Sequence, residues 1–163
     1  MDRPALQTTL CYIERGDKTL MLYRNRKKDD PNGGKWLAVG GKFEFGESPE
    51  ECMLREAREE TGFCLTDWAY RGVVTFLSGD WCEYMHLFTA KAPEGEVCAC
   101  DEGTFAWIPT RELDSLPAWE GDRVFQWLLR ERESLFSLKL VYADGERLAH
   151  AILDGKELKL ADR

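Results

Sequence analysis

Glu56, Glu59 and Glu60 fall within five consecutive residues of the stretch LREAREETGF, Leu54 to Phe63. If that stretch is helical, Glu56 and Glu60 are one turn apart and repel by about 0.2–0.5 kcal/mol. The residues three and four positions from Glu56 are Cys52, Met53, Glu59 and Glu60, and none is basic. Glu59 and Glu60 would also sit at the negative end of the helix dipole, at a further cost of about 0.3–1 kcal/mol each. A solvated acidic face is the ordinary explanation for clustered glutamates. Here the spacing is locally unfavourable, and a cation would resolve it. Hard divalent ions such as Mg²⁺ take a few carboxylate oxygens and keep positions for water and phosphate. The stretch therefore predicts a metal platform. Arg55, four residues from both Glu51 and Glu59, is expected to bridge that pair.

The elements that must hold these acids are legible on either side. Ser48 is suited to cap a helix, Pro49 to open it, and Glu51 to complete a capping box with Ser48. Gly62 suits the left-handed position that closes it. A helix from Pro49 to Thr61 is predicted. Before it runs GGKFEFGE, Gly40 to Glu47. Its glycines let the backbone approach a ligand closely, so the Gly40 carbonyl could join the metal and exposed N–H groups could meet phosphate oxygens. Glu47 is placed to meet Arg55 and fix this loop on the helix; the alternative is a free surface glutamate.

Elsewhere, residues 6–14 and 18–24 read as strands joined at Gly16-Asp17, and 25–35 as a polar loop. Residues 65–78, 83–92 and 105–109 read as further strands. Residues 120–133 place Val124, Phe125, Leu128 and Leu129 on one helical face. The C-terminal stretch alternates about Asp144-Gly145, a hairpin signal. Mixed strands with two helices imply an α/β sandwich around a mixed sheet, and the 163-residue length implies one domain over 1–163.

Composition narrows the partners. No run approaches the length of a membrane span and the N-terminus lacks a signal-peptide pattern, so the expected location is the cytoplasm. The net charge of −8 opposes binding to long nucleic acid, which needs a basic surface. Residues Arg24 to Lys28 form a local basic patch that keeps an RNA end in view. The six cysteines contain no C-x-x-C pair and are expected to be reduced and mostly buried. Zinc on Cys82, His86, Cys98 and Cys100 has the wrong spacing for a structural site. His86 is expected to pack, as are Trp68, Trp81, Trp107 and Trp127.

Gly41, five residues, Glu47, seven residues, then Arg55-Glu56-Ala57-Arg58-Glu59-Glu60-Thr61-Gly62-Phe63 resembles the signature of the Nudix hydrolases at every fixed position. The resemblance implies a Nudix α/β/α sandwich and hydrolysis of a nucleoside diphosphate linked to another moiety. It implies that Glu56, Glu59 and Glu60 bind Mg²⁺ or Mn²⁺, and that Arg55 and Glu47 orient the helix. The segments WLAVGGKF, YMHLFTA, DEGTFAWIP and LPAWEGD extend the likeness to the MutT-type branch that cleaves oxidised purine nucleoside triphosphates such as 8-oxo-dGTP. On that likeness Glu102 is a further metal ligand or base. Trp119 would stack on the purine, Asp122 would bond its edge, and Arg24 and Phe76 would line the pocket. A plain core or rim role for Trp119 stands beside this reading. Two positions depart from the branch: Leu37 follows Trp36 where an asparagine reads the base, and Gly121 replaces the first of two aspartates. Base preference is therefore open. Other implied substrates are an RNA 5′ end, a nucleotide sugar or a dinucleoside polyphosphate, and a non-catalytic nucleotide-binding module is the remaining reading. The oligomeric state is not legible.

Overall fold

Side chains of the first strand, β1 (Leu6–Arg15), divide by parity. Cys11 and Ile13 join one core cluster, while Leu10 and Tyr12 join another. β2 (Lys18–Tyr23) divides likewise, with Leu20 on one side and Met21 on the other. A sheet apolar on both faces needs cover on both, which here comes from two helices. A computed structural model describes residues 4–160. After β2 follow β3 (Trp36–Leu37), β4 (Val39–Lys42), α1 (Pro49–Thr61), β5 (Trp68–Ser78), β6 (Trp81–Lys91) and β7 (Thr104–Pro109). A 3₁₀ turn (Thr110–Ser115), α2 (Glu120–Glu131), β8 (Phe136–Tyr142), β9 (Leu148–Leu153) and β10 (Lys156–Leu158) complete it.

The strands run in the order β10-β9-β8-β5-β6-β1-β2-β3, with β4 paired to β1 and β7 to β2. β1 is parallel to β6 and β5 to β8, while the other pairs are antiparallel, so the sheet is mixed. Met53 and Ala57 of α1 bury against Ile13, Leu20, Val39 and Phe88 on one face. Val124, Phe125 and Leu128 of α2 bury against Phe76, Leu87, Leu138 and Leu140 on the other. This is the expected α/β/α sandwich.

Local expectations met the structure unevenly. The helix Pro49–Thr61 has the predicted bounds: Ser48 Oγ accepts from the Glu51 N–H at 3.1 Å, Glu51 Oε1 accepts from the Ser48 N–H at 3.0 Å, and Gly62 closes it at φ 82°. The run WLAVGGKF is two strands, because β3 pairs with β2 while β4 pairs with β1. The strand expected from residue 65 starts at Trp68, since Phe63 and Leu65 first bury under α1. Its partner starts earlier than expected, at Trp81. The 3₁₀ turn and β10 were not anticipated; each is too short to display a period. Three cysteines, Cys11, Cys52 and Cys100, are buried, but Cys64 and Cys98 are exposed, which corrects the expectation that most are interior. Trp81, expected to pack, is 45% exposed. Among the described residues no helix is long and apolar enough to cross a membrane.

Candidate active site

The loop before α1 is tied to the helix by one arginine. Arg55 Nε donates to Glu47 Oε2 at 2.6 Å and Nη2 donates to Glu47 Oε1 at 2.9 Å, a bidentate pair. Glu47 Oε1 also accepts from the Glu44 N–H at 2.7 Å, and the Arg55 guanidinium holds the Glu47 carboxyl down to about 2. Nη2 reaches the Lys42 carbonyl at 3.0 Å. Nη1 donates to Glu56 at 2.8 Å and to Glu59 at 3.1 Å. The expected bridge to Glu51 is not made, because that carboxylate is used in the capping box. Glu56 does have a basic neighbour, the adjacent Arg55, which spacing at three and four residues overlooks.

The two glycines of β4 have structural work that differs from the expected ligand approach. A Cβ on Gly40 would lie 1.8 Å from the Thr9 carbonyl oxygen of β1. A Cβ on Gly41 would lie 2.4 Å from Glu56 Cδ. The first glycine lets β4 close onto β1, and the second makes room for a carboxylate.

That carboxylate belongs to a crowded set. Glu60 Oε2 accepts from the Gly40 N–H at 3.2 Å. Burial, followed by the charges of Glu56 and Glu102, pushes the Glu60 carboxyl well above the ordinary carboxylate range. Burial raises Glu56 as well, against the pull of Arg55. Glu102, in the turn before β7, ion-pairs with Arg24 Nη1 at 3.4 Å and Lys27 Nζ at 3.3 Å. Glu59 lies on the outer side, 59% exposed. Glu56, Glu60, Glu102 and Gly40 are thus brought together, with Glu59 at the rim. Among the described residues no three such side chains form a ready metal cage. A cation would compete with Arg55 for Glu56 and with the Gly40 N–H for Glu60. The donor set itself, hard carboxylate oxygens, suits Mg²⁺ or Mn²⁺.

A second group forms under α2. Trp119 meets Phe76 and Tyr142 edge-on, with ring centroids 5.5 Å away in each case. Its Nε1 donates to Asn32 Oδ1 at 2.8 Å, and Lys35 Nζ stands 4.6 Å over its ring. Asp122, in the first turn of α2, is buried, and burial pushes its carboxyl up to about 7. Gly121 is needed here because a Cβ would lie 2.5 Å from Leu140 and 2.7 Å from the Tyr142 hydroxyl. Trp119, Phe76 and Asp122 therefore gather as expected, but Arg24 stands elsewhere. It is held by Asp30 at 2.8 Å and by Glu102, within the acidic group rather than the aromatic one.

Sequence reasoning missed the residues that join the two groups. Asp30 Oδ2 accepts from Arg24, its Oδ1 accepts from the Asn32 N–H at 3.0 Å, and Asn32 receives Trp119. A loop rich in turn residues gives no periodic signal of this. Also missed was Glu83, a carboxylate on the α2-facing parity of β6, where Thr8 Oγ1 donates to it at 2.7 Å. An acid alternating in step with Met85 and Leu87 was the available sign. His86 bonds Tyr70 at 2.8 Å and Gln7 at 3.2 Å. A cavity of about 630 Å³ lies between α2 and the far ends of β1 and β6, lined by Tyr12, Tyr70 and Gln126 among others, and none of Glu56, Glu60, Glu102, Trp119 and Asp122 lines it.

Comparison with known proteins agrees with this geometry. The NUDIX domain family matches residues 5–128. An uncharacterised Nudix hydrolase of Bacillus subtilis is 30% identical over 94% of this chain and 97% of its own length. An oxidized purine nucleoside triphosphate hydrolase of Danio rerio is 29% identical over 66% of this chain and 70% of its own. The crystal structure of a mutator MutT protein from Bacillus halodurans superposes with a TM-score of 0.81 at 27% identity, covering 93% of this chain and 99% of that one.

Proposed function

This chain belongs to the Nudix family of hydrolases, which act on phosphoric anhydrides of nucleotides, and we propose that it is a nucleoside triphosphate pyrophosphohydrolase. It releases nucleoside monophosphate and pyrophosphate, prefers oxidised purines such as 8-oxo-dGTP, and works as one domain in the cytoplasm. The observation that carries the reading is the burial of Glu60 against Glu56 and Glu102, which holds three carboxyl groups so close that Glu60 favours its protonated form unless a cation replaces the proton.

Glu56, Glu59 and Glu60, with Glu102 and the Gly40 carbonyl, would hold Mg²⁺ or Mn²⁺. Bound there, the ion supplies charge neutralisation to the diphosphate and lowers the pKa of attacking water. Glu47 and Arg55 keep α1 and the Gly40–Gly41 strand in register, so the acids face the substrate together. Either Glu56 or Glu60, once ionised beside the cation, would be placed to receive a proton from the attacking water. Lys27 and Arg24, beside Glu102, give the triphosphate positive charge to lean on. Trp119 supplies a face for stacking and Asp122 a hydrogen-bonding edge, and the Danio rerio relative acts on oxidised purine triphosphates by name.

Chromatography of products after incubation with Mg²⁺ and dGTP, 8-oxo-dGTP or a 5′-triphosphate RNA tests the reading. Pyrophosphate is expected from the free nucleotides, most from 8-oxo-dGTP, with loss in Glu60→Gln. Folded protein that yields none refutes the activity, and calorimetry showing no Mg²⁺ or Mn²⁺ uptake refutes the metal platform.

A further inference from the structure

A charged residue stands on the apolar face that α2 covers. In β6, Glu83 shares parity with Met85 and Leu87, both of the α2-side core. Residues directly opposite in a sheet present their side chains on the same face. Glu83 is opposite Phe76 of β5, and Phe76 is in turn opposite Leu140 of β8. Glu83, Phe76 and Leu140 thus form one row across three strands. The first turn of α2 rests on the far end of that row, since Gly121 closes onto Leu140. Asp122 follows Gly121, and Trp119 stands against Phe76. Two strand spacings, about 10 Å, separate the ends of the row. A purine carrying a hydrogen bond at each of its two opposite edges spans about that width.

Glu83 is held in place for such a role. Thr8 Oγ1 donates to its Oε2 at 2.7 Å and Trp81 Nε1 to its Oε1 at 3.0 Å. Each oxygen retains a further lone pair, and an ionised carboxylate only accepts. The residue is partly exposed, and its charge is near enough to raise Asp122. An acceptor at one edge of a purine discriminates by oxidation state. Unmodified purines present a bare N7 acceptor on the five-membered ring, which a carboxylate repels. Oxidation at C8 places a hydrogen on N7 and makes it a donor.

Resting on the oxidised-purine reading above, we infer that Glu83 is a specificity residue that accepts a hydrogen bond from the N7–H of an 8-oxo-purine, across the base from Asp122. The selectivity then comes from attraction to the oxidised base and repulsion of the normal one together.

Equilibrium binding of 8-oxo-dGMP and dGMP, followed by calorimetry, tests this without any need for turnover. The wild-type protein should favour 8-oxo-dGMP, and Glu83→Gln, whose amide can donate to a bare N7, should shrink the ratio of affinities by roughly 10–100-fold, the worth of one hydrogen bond to a charged group. Thr8→Val, which frees the carboxylate, should shrink it less. A purely structural Glu83 would weaken both nucleotides alike and leave the ratio unchanged, which overturns the inference. Equal binding of the two nucleotides by wild type overturns it as well. Absence of hydrolysis with an intact binding ratio would defeat the proposed activity and leave the role of Glu83 standing.

Discussion

Replacing Asp122 by asparagine separates an acid kept for function from one kept for stability. The Asp122 carboxyl is raised from 3.8 to about 7, chiefly by burial, with the Glu83 charge adding and Arg123 and Lys35 opposing. A folded-state pKa above the unfolded one means that the folded chain binds more protons between those values. Stability therefore falls as pH rises from about 4 to about 7, and the cost is complete above that. A shift of about three units at about 1.4 kcal/mol each gives roughly 4 kcal/mol. Asparagine does not titrate, so Asp122→Asn escapes this cost. Its amide could lack a partner, at a penalty of about 1–3 kcal/mol, but that penalty is the same at every pH. It cancels when the variant is compared with wild type at both ends of the range. Urea unfolding of both proteins at about pH 4 and about pH 8, at fixed ionic strength, should show the variant gaining roughly 4 kcal/mol relative to wild type between the two. A difference that stays flat with pH, or slopes the other way, refutes the buried-acid argument. The gain should come with weaker nucleotide binding.

Two further substitutions probe the acidic group. Gly41→Ala would place a Cβ 2.4 Å from Glu56 Cδ, so the carboxylate must move while the helix stays capped. Metal uptake by calorimetry should fall roughly tenfold or more with the circular dichroism unchanged, and unaltered uptake would show that the Glu56 position is immaterial. Glu47→Gln tests the Arg55 clamp. Because Arg55 lowers Glu47 from 4.5 to about 2, its stabilisation is present above the unfolded value and disappears as pH falls toward the folded one. The wild type should melt above the variant at neutral pH and lose that lead on acidification; a lead that persists undiminished in strong acid would sink the assignment.

The parts of this architecture that announce themselves in sequence are those with a local cause. Ser48, Pro49, Glu51 and Gly62 bound α1 because each satisfies a backbone group within a few residues. The strands β1 and β2 are legible from the turn at Gly16-Asp17 between them, while their burial on both faces appears only in the fold. The acids of α1 are visible because their repulsion is a one-turn effect. What stays hidden depends on distant chain. Gly40 and Gly41 look like a ligand cradle, and only pairing with β1 shows that they accommodate Thr9 and Glu56. The competition for Arg55 among Glu47, Glu51, Glu56 and Glu59 is decided by the cap and the loop together, not by spacing. Glu83 reads as one polar residue in an apolar strand until Phe76 and Leu140 are set beside it.

Arg24 shows how the two halves of the site are joined. The family likeness placed it in the base pocket, but its guanidinium is spent on Asp30 and Glu102. Asp30 in turn anchors Asn32, and Asn32 accepts from Trp119. A continuous line of hydrogen bonds and ion pairs therefore runs from Glu102 to the ring of Trp119. Charge neutralised at Glu102 by a cation, or uncovered there by a phosphate that draws Lys27 away, would alter what Arg24 must balance and so bear on the loop that seats Trp119. In this arrangement the Arg24 guanidinium bonds Asp30 and Glu102 rather than Trp119, Phe76 or Asp122. If these contacts couple the two groups, a double-mutant cycle of Arg24→Met with Trp119→Ala should give a non-additive loss of nucleotide affinity, and additive losses would show that the loop carries no coupling.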